Sequence, residues 1–492
     1  MKNTTPETNK TKIILWIFIL AYIVYFSYYT ILRYQTLYAY YLDLGIMHQT
    51  VFNTYRAITN FDFSRVLEQI EPFGLNPVKR MAIHNDIILA PLALFYFIYA
   101  SPATLLIIQA AVLGLGAWFV FKISQMVFTK SKYQDLLSLF FAFGYLLYPP
   151  LEKANMFDFH AVTLATTFLL AMFYFWLKKS YGWSLLFVIL ALLTKEQVGL
   201  TTAFFGLYAL FSQPKDRKKN LRFPLLVIGV SLAWFVLSIF AIIPYFRGGQ
   251  QHFALSYFGD FGDSPGQVLL GLFLNPLRLL QSLLRIPSWE YLRSLLGPLG
   301  FLSLFSPLQL VIAAPELGIN LLSASSNFRN IYYHYSAVIT PFVFISAIYG
   351  VKNIMRFLSG IKPRFIISYI IFFILILAYC EGPLPLARNQ EIHPFKYPRK
   401  EAPLVREWSA RLKDENLKIS STGKLAPFFT SRRYFYNFSK YYPVADYLVI
   451  MPSEVYNYSI GESLVPVYKR LQQDGRFELI FKQDNFEVYK KL

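Results

Sequence analysis

Long apolar runs separated by short polar or basic stretches extend from the N-terminus to about residue 380. Runs of that length predict membrane-spanning helices rather than a water-soluble core. The clearest are Ile13–Ile31, Ala103–Val127, Leu136–Tyr148, Ala161–Leu177, Trp183–Thr194, Val198–Phe211, Phe223–Tyr245, Ser336–Gly350 and Phe365–Tyr379. Ile87–Tyr99 is also apolar, but it is short and carries Pro91, so it reads as a helix lying in the membrane interface. Between residues 266 and 323 an even number of crossings is expected. Gln267–Leu284 with Pro298–Leu322 satisfies this, and so do two short spans inside Leu295–Leu322. The expected fold is an α-helical polytopic membrane protein of about 11 spans, followed by a soluble α/β domain.

Charge placement sharpens this division. From Glu381 to Leu492 about 28% of residues are charged, the soluble range, against about 12% in the preceding 380. We therefore expect a transmembrane part over 1–380, with a large first loop over 34–102, and a soluble part over 381–492. In the latter, Leu404–Leu412 reads as helix and Leu417–Ser420 and Tyr447–Met451 as strands. Phe477–Phe481 and Phe486–Tyr489 read as a hairpin. The net charge of +19 alone would fit nucleic acid. Its basic clusters, however, sit at span ends: Lys2/Lys10/Lys12, Lys130/Lys132, Lys178–Lys179, Lys215/Arg217/Lys218/Lys219/Arg222, Lys352/Arg356 and Lys362/Arg364. That is the signature of cytoplasmic loops in a cell-membrane protein, so nucleic acid is not an expected partner. The N-terminus is then cytoplasmic, and the first loop and the C-terminal domain are extracytoplasmic. The single cysteine, Cys380, allows no intramolecular disulfide.

Ionisable residues near membrane depth are costly and are the candidates for chemistry. The first loop carries Asp43, His48, His84 and Asp86. A carboxylate at Asp43 could serve as general base or hold a divalent cation, while Asp43 and Asp86 could instead only cap helices. Asp158 and His160 lie two residues apart in a turn between spans. Lys195–Glu196 interrupts two apolar stretches, the lysine suited to a phosphate and the glutamate to a sugar hydroxyl or a metal. Glu316 and Asn320 share a helix face. Arg329 and His334 follow in a loop, where a cation suits a lipid phosphate. No phosphate-binding glycine loop, dinucleotide fingerprint or HExxH occurs. No cofactor is indicated beyond the room these groups leave for a divalent cation, and the metal ligands stay unassigned.

These residues resemble a family of polytopic prokaryotic membrane proteins, the domain of unknown function 2079. The likeness rests on Asp43-Leu-Gly45, His84, Lys195-Glu196, Pro315-Glu316 through Asn320 to Ser323, and His334-Tyr335. It continues at Ser431–Arg432–Arg433 and Asp446–Tyr447. That family in turn resembles the GT-C glycosyltransferases. The resemblance implies a cytoplasmic N-terminus, a catalytic acid in the first outer loop and a polyprenyl-phosphate-linked sugar as donor. Asp43 matches the acidic position, but Leu44 follows it where some GT-C loops carry a second acid. The implied activity is sugar transfer at the outer face to a protein, glycan or lipid acceptor. Asp43 would be the base and His84 would join it in the catalytic cavity. His48, Asp86, Asp158, His160, Lys195, Glu196, Glu316, Asn320, Arg329 and His334 would bind substrate. A flippase for lipid-linked glycans and a cell-envelope assembly scaffold are the alternatives. The scaffold predicts that Asp43, Lys195 and His334 lie far apart.

Overall fold

The computed structural model describes residues 6–129, 131–212, 221–358, 363–458 and 463–492. Of the basic residues used for orientation, Lys2, Lys130, Lys215, Arg217, Lys218, Lys219 and Lys362 lie outside these. Up to residue 381 the chain is almost wholly helical. Helix α1 spans Pro6–Gln35, and α2 (Ile46–Thr59) follows a π-helical turn at Tyr41–Gly45. Next come α3 (Pro102–Val127), α4 (Gln134–Leu146), α5 (Pro149–Phe157), α6 (Leu164–Leu177) and α7 (Tyr181–Leu192). They are followed by α8 (Val198–Ser212), α9 (Arg222–Leu237), α10 (Ala314–Leu322), α11 (Thr340–Phe357) and α12 (Pro363–Glu381).

Among the described residues, four helices are long and apolar enough to cross a membrane: Asn9–Gln35, Pro102–Val127, Arg222–Phe246 and Arg364–Glu381. Pro265–Leu274 and Pro276–Leu284 form a pair bent by 88°, a fifth span if taken as one. The break falls at Asn275–Pro276, where proline cannot donate its amide to the preceding turn. The expectation of about 11 spans also counts the shorter apolar helices, among them Tyr181–Leu192 and Val198–Ser212. The run Pro298–Leu322 is not one helix. Pro298, Pro307 and Pro315 divide it into short α- and 3₁₀-turns that end in α10.

Helix ends follow local chemistry. Ser101 caps α3 by accepting the Ala103 amide, and Pro102 fills the first helical position. In an apolar solvent helices associate through close packing, which favours small residues at contacts. At Gly199 of α8 an added Cβ would lie 2.7 Å from the Ser231 carbonyl oxygen of α9, so only glycine permits that approach.

The first loop adds a short hairpin of β1 (Glu68–Ile70) and β2 (Pro77–Lys79). The segment expected to lie in the interface is a short helix, Leu89–Leu92, continued as a 3₁₀ turn over Ala93–Phe97. After residue 400 the chain forms a five-stranded sheet of β3 (Ile419–Ser421), β4 (Phe435–Asn437), β5 (Tyr447–Ile450), β6 (Phe477–Gln483) and β7 (Phe486–Lys491). Its order is β4-β3-β5-β7-β6; the first three are parallel and the last two antiparallel to their neighbours. Asp484 takes φ +48° in the turn joining β6 to β7. Helix α13 (Ala402–Arg411) packs Val405 and Trp408 on one sheet face. Leu37, Tyr41 and Ile46 enter the same apolar cluster. The sheet therefore supports the turn that carries Asp43.

Candidate functional site

Asp43 sits in the π-turn between α1 and α2. Such a turn inserts one residue into the helical path and recurs at functional sites. Its Oδ1 faces His160 Nε2 at 3.1 Å, and its side chain keeps 25% of its exposure. Among the described residues, Oδ2 has no hydrogen-bond partner. His160 Nδ1 faces the Asp158 carbonyl oxygen at 3.3 Å, so a ring carrying a proton on each nitrogen satisfies both oxygens. His334 stacks on His160 with ring centroids 3.8 Å apart. Burial holds the His334 imidazole well below its usual range, and the Lys195 charge adds to this. Asp43, His160 and His334 thus form one contact cluster. Among the described residues, the Lys195 ammonium has no hydrogen-bonding or ion-pair partner.

Asp158 is occupied differently. Oδ1 accepts from Arg33 Nη1 at 2.6 Å and Oδ2 from the Tyr40 amide at 3.2 Å. Arg33 comes from the last turn of α1, where the helix dipole favours a cation, and it also reaches the Phe157 carbonyl. Burial pushes the Asp158 carboxyl up to about 7, with Arg33 opposing and the Asp43 charge adding. Asp158 is therefore a neighbour that shapes Asp43 rather than an open substrate ligand.

A second cluster centres on Glu196. Its Oε1 accepts from His84 Nδ1 at 2.8 Å and His252 Nε2 at 3.1 Å, and its Oε2 from the Asn85 amide at 2.9 Å. Burial alone would raise this carboxyl. The histidine donors outweigh it and hold the group well below its usual range. Burial keeps His84 neutral, pushed down to about 3. The three side chains offer ligand atoms within 4.8 Å of one another, close enough for a metal ion. The hydrogen bonding argues otherwise. His252 Nδ1 accepts the Ala254 amide at 3.0 Å, so the neutral ring carries its proton on Nε2, the atom a metal would need. The trio is a hydrogen-bonded clamp on a carboxylate. It fixes the tautomer of His84, whose Nε2 has no hydrogen-bond partner among the described residues.

Several expected ligands have other duties. His48 is fully buried, with Nδ1 on the Tyr96 hydroxyl at 2.7 Å and Nε2 on the Ser431 hydroxyl at 2.8 Å. Both nitrogens are spent, so it tethers α2 to the sheet segment instead of binding substrate. Asp86 neither caps the following helix nor opens to a ligand. Arg80 Nε lies 2.9 Å from its Oδ1 and Arg80 Nη2 2.9 Å from its Oδ2, all buried. Arg329 and Arg285 both donate to the Ser323 carbonyl at the C-terminal end of α10, a helix-end cation site. Asn320 donates to the Tyr291 hydroxyl at 2.8 Å and the Tyr335 carbonyl at 2.9 Å, bracing two segments. Glu316 is buried with only a long contact from Gln197, at 3.5 Å. Both oxygens of Glu196 already accept hydrogen bonds, three in all.

Sequence reasoning missed His252, Arg33 and Arg80. His252 follows the Gly248–Gly249 turn in a polar stretch with no periodicity. Arg33 carried a usable signal, a cation in the last turn of a span.

Apolar helices of spanning length, with clusters of ionisable residues at the loops and helix ends, define an integral membrane protein. Residues 33–488 match the family described as "Predicted membrane protein (DUF2079)", and the chain belongs to that family. Among solved structures it is similar to ArnT from Cupriavidus metallidurans in the apo state, at 12% identity and TM-score 0.47, covering 91% of this chain and 93% of that one. No curated protein sequence matches it.

Proposed function

We propose that this chain is a GT-C-type membrane glycosyltransferase. It moves a sugar from a polyprenyl-phosphate-linked donor to an acceptor hydroxyl at the outer membrane face, with Asp43 as general base. One observation carries the reading. Of the candidate carboxylates Asp43, Asp86, Asp158 and Glu196, the last three have both oxygens bonded, whereas the partly exposed Asp43 side chain has, among the described residues, no partner on Oδ2. His160 fixes the other oxygen. Arg33 engages Asp158, so the second carboxylate does not compete for the acceptor proton.

In this reading Asp43 Oδ2 takes the proton of the acceptor hydroxyl as its oxygen bonds to the anomeric carbon. The bond from that carbon to the phosphate oxygen breaks, and the polyprenyl phosphate leaves with the electron pair. The unpaired Lys195 ammonium stabilises the charge gathering on that phosphate. His84, held by Glu196, presents Nε2 to a sugar hydroxyl. The positive-inside distribution of basic residues supports an outer-face site, and an odd number of crossings, as in the expected eleven, would bring the C-terminal sheet to the same side.

The test is Asp43→Asn in membranes supplied with labelled lipid-linked sugar. A base of this kind contributes roughly 10²–10⁴-fold, so transfer should fall by that factor in a well-folded variant. Undiminished transfer removes Asp43 as base. Binding of the lipid-linked sugar without turnover by the parent chain favours the flippase.

A further inference from the structure

Strand β3 lies between β4 and β5, and all three are parallel. The chain leaves β3 toward β4 on one side and comes back to β5 on the other. The carboxyl ends of β3 and β5 therefore diverge at a topological switch point, the place where open α/β sheets hold their ligands. Its two lips are Thr422–Gly423–Lys424 after β3 and the short helix Pro452–Tyr456 after β5. Thr422 Oγ1 accepts the Met451 amide at 3.2 Å, and the nearly buried Glu454 accepts the Lys424 amide at 3.0 and 3.2 Å, so the lips are tied together. The occupant of the crevice is Tyr40, from the membrane part. A Cβ added at Gly423 would lie 2.7 Å from the Tyr40 hydroxyl oxygen and closer still to its ring. From the other lip, Glu454 hydrogen-bonds that hydroxyl. Gly423 does not take a positive φ, so it is the ring, not the backbone, that excludes a side chain there. Contacts on either side hold the same segment. Arg399 Nε donates to the Leu37 carbonyl at 3.2 Å, and the Tyr38 hydroxyl to the Tyr397 carbonyl at 2.8 Å.

We infer that Tyr40 is a positioning residue for Asp43, and that the sheet uses its switch-point crevice to clamp the turn of the candidate active site instead of binding a separate ligand there. The positioning role rests on the transferase reading above; the clamp does not. The backbone of Tyr40 carries the effect. Its amide donates to Asp158 Oδ2 at 3.2 Å, and its carbonyl accepts the Gly45 amide at 3.2 Å, closing the π-turn around Asp43. A ring pushed out of the crevice pulls on both bonds, and Asp43 is three residues further along the same turn. A shift of about 1 Å in a reacting group can cost roughly 10²-fold in rate, so Gly423, Glu454 and Tyr40 act on the chemistry through Asp43 without touching substrate. The soluble domain is in this way part of the active site.

The experiment is a double-mutant cycle of Gly423→Ala and Tyr40→Ala in the full chain in detergent micelles. Amide hydrogen exchange of peptides over residues 37–46, read by mass spectrometry, reports the turn without any substrate. Gly423→Ala should speed that exchange at least about tenfold while β5 to β7 stay as protected as in the parent chain, since the loosening is local. Added to Tyr40→Ala, the same alanine should change nothing further, because the ring it displaces is gone. Tyr40→Phe, which keeps the ring but not the hydroxyl, should fall between parent and Tyr40→Ala. Transfer is then followed with a panel of labelled polyprenyl-phosphate-linked hexoses and pentoses. With the sugar that the parent chain transfers, Gly423→Ala should lower kcat at least about tenfold and leave KM unchanged, since the turn orients the base and does not bind the donor. Unchanged exchange over 37–46 in Gly423→Ala overturns the clamp, and so do effects of the two substitutions that simply add. A loosened turn with unchanged kcat overturns the positioning role. A loosened turn in a chain whose parent form transfers no sugar of the panel leaves the clamp standing and counts against the transferase reading alone.

Discussion

Glu196→Gln separates the two chemistries open to the His84–Glu196–His252 cluster. In the parent chain three N–H groups converge on two carboxylate oxygens, at 2.8, 3.1 and 2.9 Å. Glutamine offers one acceptor and one NH₂. With its oxygen kept toward the histidines, the NH₂ meets the Asn85 amide, and an unmade buried amide costs about 1–3 kcal/mol. The two histidine bonds also lose charge assistance, about 1 kcal/mol each. Relief from burying a full charge offsets part of this, leaving a net loss of about 2–4 kcal/mol. Unfolding in detergent micelles, followed by tryptophan fluorescence, measures it. The clamp predicts that loss in the variant and no change when the parent chain is treated with EDTA. A metal centre predicts that EDTA reproduces the loss, with about one equivalent of divalent metal in the purified protein. Finding that metal, released together with the stability, would refute the tautomer argument built on Ala254.

His48 is kept neutral by burial, its pKa pushed down to about 3, so between there and about 6.5 the native state binds fewer protons than the unfolded one. Its stabilising contribution is whole above pH 6.5 and falls by about 1.4 kcal/mol per pH unit below it. His48→Gln should flatten the acid limb of stability by that slope between pH 6 and 4, and parallel limbs would contradict the assignment. Arg33→Ala strips Asp158 of its cation beside Asp43, and transfer should shift to higher pH because the two carboxylates then share a proton more readily; an unmoved pH profile would count against the coupling. Arg433→Ala leaves the nearly buried Glu68 unpaired and should cost about 1–3 kcal/mol of stability, which Glu68→Gln in the same chain should partly restore; no recovery would mean that Arg433 acts through other contacts.

Elements whose signal is local were legible in the sequence. The run Ala103–Val127 became α3 within a residue, and the hairpin closing the sheet has the expected strands. Elements whose signal is weak or divided were not. The three-residue strands β1, β2 and β4 are too short for alternation to stand out. Pro298, Pro307 and Pro315 broke an apparently continuous apolar run. The candidate site divides in the same way. An ionisable residue among apolar ones is visible in a sequence, but its partner is chosen by helix packing: Glu196 meets His84 from 112 residues before it and His252 from 56 residues after it. No spacing rule reaches that far, so spacing alone did not separate Asp43 from Asp158, Asp86 and Glu196; only the family resemblance singled out Asp43. What separates them is occupancy. Each carboxylate can accept about four hydrogen bonds through two oxygens, and a cation or several amides on both leaves little for a ligand. Arg80 occupies Asp86, Arg33 and the Tyr40 amide occupy Asp158, and two imidazoles and an amide occupy Glu196. The packing that buries three of these acids and saturates them also leaves Asp43 with one bonded and one open oxygen, the arrangement a general base needs.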